Sequence, residues 1–595
     1  MSYINSLIAY KNTSFLWNSP IKLHLFYIKG AGRKKICRKL AQVKEKLYLC
    51  TRFSHKRRKS RGVAQLVAHL VWDQVVARSS RVTPTFFLFG TIMKSAFSRE
   101  ILVFALSFTV VSCAQTQESK SIKMTVGQPV EGKIEGFGME FDPHFLSQNV
   151  AAGNGTKATD WDNIIIPRLR KLNPSKLRIM VLPEWYEPVN DNDDPNIVNG
   201  DAFHFESPEM QGLYSLLDIA EHDGIKVTLT FWGTRSSTFL LPQAWPGWMM
   251  GPSEFEEWAE NLSTCLNYLL NERHYTCIHE VTPVNEPDWA FSTDKHNQAD
   301  LYIQMCKVLD ERLRRDGLRE QIRMSLSDNS DAGSGTNKFL AACTKELRHE
   351  ADIFNSHTYI FGYETPNSTI YQWELKNVRL SAQAGKSHFV GEFGSNQTVG
   401  ATIQRDIDRY ERGLLMARIV INLLNAGACG ASYWSLLDQY YSRSEALSHS
   451  NMQRLGLWRY LKEEYAQDSI YAHITDNYQV RPQYYAIGML SNHSRPGSVV
   501  YPLDAQSEWI AATALKKAEG KWCYLLVNPT EEAVDIELTN PLSTSKHRLQ
   551  VYRYEEATLP EDDTLPQPTD HTVQRHGKIK ERLEPRSFII IAEKE

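Results

Sequence analysis

Between Gly132 and Ser435 the chain repeats one unit, a short apolar run followed by a helical pattern. The runs are Lys133–Gly138, Ser175–Val181, Ile225–Phe231, Ile278–Val284, Ile322–Leu326, Ile353–Thr358, His388–Gly391 and Ala428–Ser435. Helical spacing falls on Trp161–Lys171, Met210–Asp223, Glu254–Asn271, Gln298–Asp316, Asn337–Glu350 and Asp408–Asn425. In the clearest of these, Phe255, Trp258, Ala259, Leu262, Leu266 and Leu269 make one apolar stripe, and Ser253 with Glu256 predicts a capping box. Eight strands alternating with helices predict an α/β fold, a (β/α)8 barrel rather than an open doubly wound sheet. No Walker A motif is present, and Gly136-Phe137-Gly138 lacks the third glycine of a dinucleotide fingerprint, so nucleotide binding is disfavoured.

A parallel barrel points every strand's C-terminal end to one face, where active sites form. The predicted strand ends carry Arg178, Trp232, Asn285-Glu286, His357 and Tyr359, Glu392, and Trp434. Glu140 and Asp142 follow the first strand, and Asp438 follows the last. An isolated strand-end glutamate is usually solvated or salt-bridged. Two of them, Glu286 before Pro287 and Glu392 before Phe393-Gly394, give the pair of carboxyls that cleavage of a glycosidic bond requires. Arg178 and Tyr359 are suited to donate to a carboxylate at Glu392, and His357 to orient Glu286 or a substrate. For His357 and Tyr359 packing is the competing explanation, and for Arg178 a barrel-core ion pair. Glu140, Asp142 and Asp438 suit either a sugar hydroxyl or a structural role.

The strand-four motif Asn285-Glu286-Pro287 and the strand-seven motif Glu392-Phe393-Gly394 resemble the acid/base and nucleophile motifs of the clan A retaining glycoside hydrolases, which include families 5, 30, 39 and 51. Ile134-Glu135-Gly136-Phe137-Gly138 and Arg481-Pro482-Gln483-Tyr484-Tyr485-Ala486-Ile487-Gly488 look most like family 30, with families 5 and 39 as alternatives. The resemblance implies cleavage of β-glycosidic bonds of a polysaccharide or oligosaccharide by double displacement. It makes Glu286 the acid/base and Glu392 the nucleophile; the residues alone supply the pair but not which member does which task. Asn285 would then bond the sugar 2-hydroxyl, and Trp434, with Trp232, would floor the bound sugar ring. Retention predicts carboxyls about 5–5.5 Å apart. The competing reading is a non-catalytic glycan-binding lipoprotein on a glycosidase-like barrel.

Outside the barrel the chain divides further. Residues 1–92 hold 18 Lys and Arg against 2 Asp and Glu, which leaves the rest of the chain at −18 within a whole-chain net of −2. The basic front suggests a nucleic-acid arm, but Gly62–Leu70 and Arg78–Pro84 resemble the peptide read from a transfer-RNA gene. Residues 93–113 read as a lipoprotein signal peptide: Met93-Lys94 and Arg99, then apolar Ile101–Val111, then Val110-Val111-Ser112-Cys113. The expectation is a spurious extension over 1–92, no nucleic-acid partner, and lipidation at Cys113. The only membrane attachment expected is that lipid anchor, at the periplasmic or outer side of a bacterial envelope. Residues 114–131 read as a tether and one strand, Ser121–Val126, of a side module.

After strand eight, residues 436–480 offer Tyr440, Tyr441 and Trp458 as outer-subsite aromatics or as core, and Arg481–Ser491 reads as the last barrel helix of a unit ending at 492. From 493 to 595 short strands predict an all-β sandwich: Trp509–Lys516, Trp522–Asn528, Ala533–Leu538, Arg548–Tyr554 and Ser587–Ala592, with Pro560–Asp570 an exposed loop. Six cysteines beyond Cys113 form no CxxC or CxxH cluster. Buried free thiols are expected, with a Cys265–Cys277 bridge as the alternative, and neither metal nor cofactor is called for.

Overall fold

The computed structural model describes residues 120–143, 160–192, 194–233, 251–291, 298–330, 337–360, 362–395, 407–438, 455–459 and 478–594. The extension expected over residues 1–92, the signal peptide expected over 93–113 with its Cys113, and Tyr440 and Tyr441 lie outside them. No helix among the described residues is long and apolar enough to cross a membrane.

Eight parallel strands close into a barrel. They are β2 (Gly136–Phe141), β3 (Lys176–Val181), β4 (Lys226–Phe231), β5 (Ile278–Thr282), β6 (Arg323–Asn329), β7 (Ile353–Tyr359), β8 (His388–Gly394) and β9 (Gly430–Tyr433). The helices around them are α1 (Ile166–Leu172), α2 (Pro208–Asp223), α3 (Phe255–Asn267), α4 (Pro287–Ala290), α5 (Gln298–Arg315), α6 (Lys338–Glu346), α7 (Asn367–Gln383), α8 (Tyr410–Ala426) and α9 (Pro482–His493). Most barrel strands are buried along nearly their whole length, as expected of parallel strands covered by helices outside and side chains inside.

Several boundaries move, each for a local reason. The first strand runs to Phe141, so Glu140 lies within it, opposite Arg178, instead of following it. Gly138 explains the shift: a Cβ there would sit 1.7 Å from the Lys176 carbonyl oxygen, so this glycine belongs to close strand packing and not to a loop. The predicted capping box does not form. Helix α3 begins at Phe255 with Glu254 at the cap and no side-chain cap bond, one residue later than the motif requires. Strand β5 stops at Thr282, and Pro287 takes the first position of α4, where its missing N–H costs nothing.

The second module is built from two sheets. One has the order β10-β11-β12-β17-β14-β15, the other β1-β13-β16. Their strands are β1 (Lys120–Thr125), β10 (Val499–Leu503), β11 (Ala511–Lys516), β12 (Trp522–Asn528), β13 (Val534–Thr539), β14 (His547–Tyr554), β15 (Pro568–Gln574), β16 (Lys578–Leu583) and β17 (Ser587–Glu593). Strand β12 is buried on both faces. Tyr524 and Leu526 join Ile122, Met124, Ile536 and Ile579 in the core between the sheets, while Cys523, Leu525 and Val527 join the barrel core. Gly413 of α8 lets the two modules meet, since a Cβ there would fall 2.2 Å from the Tyr554 hydroxyl, which donates to the Tyr410 carbonyl at 2.7 Å.

The region read as the loop Pro560–Asp570 ends in β15, and β10 and β16 appear where no strand was expected. All six cysteines beyond Cys113 are buried free thiols, so Cys265 and Cys277 are not bridged. Trp458 is fully buried under the Arg168 guanidinium, 5.1 Å from its centroid, and belongs to the core and not to an outer subsite. Asp438 is likewise structural, gripped by both terminal nitrogens of Arg481 at 2.7 and 2.8 Å.

Candidate active site

Arg178 is the hub of the barrel mouth. It projects from β3 with its side chain 3% exposed. Its Nη1 donates to Glu392 Oε1 at 2.7 Å; its Nη2 donates to Asn285 Oδ1 at 2.6 Å and to Asp328 Oδ2 at 3.0 Å. Its guanidinium also lies 5.4 Å from the Trp232 ring centroid. Burial works against this charge, but Asp328, Glu392 and Glu140 more than offset it and hold its pKa above the ordinary arginine value.

His357, at the end of β7, connects the two glutamates. Its Nδ1 lies 3.0 Å from Glu286 Oε1 and 3.4 Å from Glu392 Oε2, and its Nε2 lies 3.2 Å from Asp328 Oδ1. Burial opposes its charge; Glu392 and then Asp328 reverse that and raise its pKa to about 10, so the ring is an imidazolium at neutral pH. Tyr359 donates its hydroxyl to Glu392 Oε2 at 2.6 Å. Burial, and next the Glu392 charge, push that phenol well above its usual range, which keeps it a donor.

One carboxylate oxygen of Glu286 and one of Glu392 lie within 4.8 Å of each other, both near His357. The two glutamates differ in setting. Glu392 is 5% exposed and held by two donors, Arg178 and Tyr359; burial raises its pKa, His357 and Arg178 pull it down, Glu286 pushes it up, and the net shift is upward. Glu286 is 19% exposed and sits at the cap of α4 in a left-handed backbone conformation, φ 42°. Its N–H donates to the Asp328 carbonyl at 3.1 Å, which fixes the turn that presents it. Because Arg178 occupies Asn285 Oδ1, the amide's donor end is defined as well.

Three features of the site were absent from the sequence reading. Asp328 is fully buried at the end of β6, the counter-charge shared by Arg178 and His357. Gly391 makes room for it: a Cβ there would lie 2.9 Å from Asp328 Oδ1. Trp289, half exposed three residues after Glu286, is pinned by donation from its indole N–H to Ser330 Oγ at 2.5 Å. Ser330 is in turn held by Asp288 through both its N–H and its hydroxyl, at 3.0 and 2.7 Å. The exposed Trp after a Glu-Pro pair was the available signal for the last of these.

The structure brings Arg178, Asn285, Glu286, His357, Tyr359 and Glu392 into one cluster. Trp232 and Trp434 meet each other, with centroids 5.3 Å apart and rings 25° from parallel, and are 3% and 4% exposed. They form one wall of the cluster and not an open platform. The grouping of Glu286, His357 and Glu392 has the donor types of a metal site. Arg178 and the His357 imidazolium already supply its positive charge.

No protein-family model matches the sequence, and no curated protein matches it. Solved structures do match in fold. A GH30 endoxylanase from Clostridium papyrosolvens is 12% identical with a TM-score of 0.54, covering 80% of this chain and 100% of that one. The catalytic domain of GH30 xylanase C from Talaromyces cellulolyticus is 15% identical with a TM-score of 0.54, covering 80% and 100%. An endo-beta1,6-glucanase is 14% identical with a TM-score of 0.53, covering 79% and 93%. The barrel with its β module is thus the fold found in clan A glycoside hydrolase structures, those of family 30 among them.

Proposed function

We propose that the protein is a retaining glycoside hydrolase acting on β-glycosidic bonds of a polysaccharide or oligosaccharide. One observation carries this: two glutamate oxygens within 4.8 Å at the mouth of the barrel, one of them gripped by Arg178 and Tyr359. Oxygens that close suit the direct attack of a retaining enzyme, whose carboxyls stand about 5–5.5 Å apart, better than the gap of about 6.5–9.5 Å that an inverting enzyme keeps for a water.

In this reading Glu392 Oε attacks the anomeric carbon while Glu286 passes its proton to the leaving oxygen. Water, deprotonated by Glu286, then releases the glycosyl group from Glu392. Arg178, His357 and Tyr359 oppose the effect of burial on Glu392 and favour its ionised form. The more exposed Glu286 has the access that proton exchange needs. Asn285, oriented by Arg178, donates to the 2-hydroxyl. The likeness to GH30 and endo-glucanase structures supports a β-linked glycan as the substrate class. Lipid attachment at Cys113, and with it an envelope location, is part of the same proposal and rests on residues 93–113 alone.

The test is trapping with 2-deoxy-2-fluoro aryl β-glycosides followed by peptide mass analysis. The expected adduct is on Glu392. An adduct on Glu286 would reverse the roles. Glycan binding without turnover by the wild type, across xylan, β-glucan and aryl substrates, would favour the binding-protein alternative.

A further inference from the structure

A second cluster of carboxyls lies on the loop that follows β3. Asp191, Glu257 and Glu260 each bring an oxygen within 4.8 Å of the other two. Glu257 and Glu260 are three residues apart on α3 and therefore share a face. Asp191 reaches them from the loop, which is rigidly held: Tyr186 donates to Asn261 Oδ1 at 2.5 Å, Asn261 Nδ2 donates to Glu187 Oε2 at 2.6 Å, and the Asp191 N–H donates to Glu187 Oε1 at 3.1 Å. Asp191 Oδ2 accepts from the Asn199 N–H at 2.5 Å.

Like charges at this distance repel unless a proton or a cation lies between them. Glu260 is 2% exposed, and its Oε1 and the buried Oδ1 of Asp191 accept from no described donor; Glu260 faces Glu257, and burial, then the Asp191 charge, push its pKa up to about 8. An orphaned carboxylate oxygen in the interior is a feature to be explained, because burial without a partner is costly. The nearest cation acting on Glu260 is Arg312, but its Nε donates to Asp316 and its Nη1 to the Pro195 carbonyl at 2.6 Å. Glu187, a fourth carboxyl, adjoins the same group through Asn261 and Asp191.

We propose that Asp191, Glu257 and Glu260 bind a calcium ion that ties the loop after β3 to helix α3. The ligands are all carboxylate oxygens, with no imidazole or thiolate, which selects hard cations. Oxygens at about 2.3–2.6 Å from calcium can stand up to about 5 Å apart, and the observed spread fits within that span. Magnesium, at about 2.0–2.1 Å, demands a tighter octahedron than a loop and a helix face readily supply. The ion would lie away from the two glutamates at the mouth, so its role is to hold the scaffold carrying Arg178 and Trp232, independently of the reaction assigned there.

The experiment uses the full chain, stripped with EDTA, dialysed, and titrated with CaCl2 or MgCl2 by calorimetry. One calcium per chain is expected, with a Tm rise of several degrees at about 100-fold excess over Kd. Glu260→Gln and, separately, Asp191→Asn should weaken calcium at least about tenfold, with far-ultraviolet circular dichroism unchanged. Three results would overturn the proposal: no calcium heat or Tm shift in the wild type, equal calcium affinity in both variants and wild type, or an equal response to magnesium. Because none of these readouts is catalytic, they stand whatever the fate of the glycosidase reading.

Discussion

Among the described residues the barrel holds two clusters of three close metal-type ligands, and they differ in where their positive charge comes from. At the mouth, Glu286, His357 and Glu392 stand beside Arg178 and Asp328, so that two cations face two fixed carboxylates. Between the loop and α3, Asp191, Glu257 and Glu260 lie together, and the cation acting on Glu260, Arg312, is bonded to Asp316 and the Pro195 carbonyl. At the mouth His357 and Arg178 pull the Glu392 pKa down against burial, so counter-charges within the cluster act on its ionisation. At the second cluster burial and the Asp191 charge push the Glu260 pKa up to about 8, a repulsion that an added cation would relieve. The contrast is between a cluster that carries its own counter-charges and one that an added cation would complete.

The largest expected effect breaks the mouth cluster. Glu392→Ala should lower kcat/KM on aryl β-glycosides by at least about 10³-fold, the scale seen when a nucleophile is removed. A rate equal to wild type would remove Glu392 from the reaction. Next is Arg178→Ala, which leaves buried Glu392 and Asp328 sharing His357 as their remaining cation. Stability should fall by about 3–5 kcal/mol, measured by urea unfolding. Calcium-free Glu260→Gln should show no comparable loss, since it removes a like charge. A similar loss in both would erase the distinction between the clusters.

Two predictions use pH. The folded-state pKa of His357, raised to about 10 against an unfolded value near 6.5, makes its contribution full below about 6.5 and lost as pH rises through about 10. Tm should therefore decline across that window, and His357→Asn should flatten the decline. The same substitution removes the strongest influence holding Glu392 ionised, so the acidic limb of kcat/KM should move to higher pH. The smallest effect is expected at Trp289. Trp289→Ala should raise KM by up to about tenfold, the worth of one aromatic contact, with kcat little changed.

How much of this could be read from the residues depends on where polarity falls. The barrel was legible because its strands are short apolar runs, and Glu286 and Glu392 because each ends such a run. Asp328 was not, since Ser325-Leu326-Ser327-Asp328-Asn329 turns polar before β6 ends, and Ser327 and Asp328 take positive φ angles of 84° and 44° that no periodicity announces. Helix α7 was missed for the opposite reason. Its inward face includes buried Asn367, Glu374, Asn377 and Ser381, so apolar spacing understates it. Strand β16 hides behind Lys578, Lys580 and Arg582 on its outer face, with only Ile579 and Leu583 turned to the core. The resemblance assigned acid and nucleophile; the different surroundings of the two glutamates offer a physical basis for that assignment.

Strand β1 runs parallel to β13, with Ile122 opposite Ile536 and Met124 opposite Leu538. The barrel is therefore an insertion, in topological terms, within a β module whose first strand precedes it and whose remaining strands follow it. Cutting the gene at residue 131 to isolate the barrel would strip an edge from the three-stranded sheet, uncover Ile536 and Leu538, and leave a template for intermolecular strand pairing. Modular exchange at this protein must carry both ends of the chain together, and a tether attached ahead of β1 would pull on the β module first, with the barrel loaded only through it.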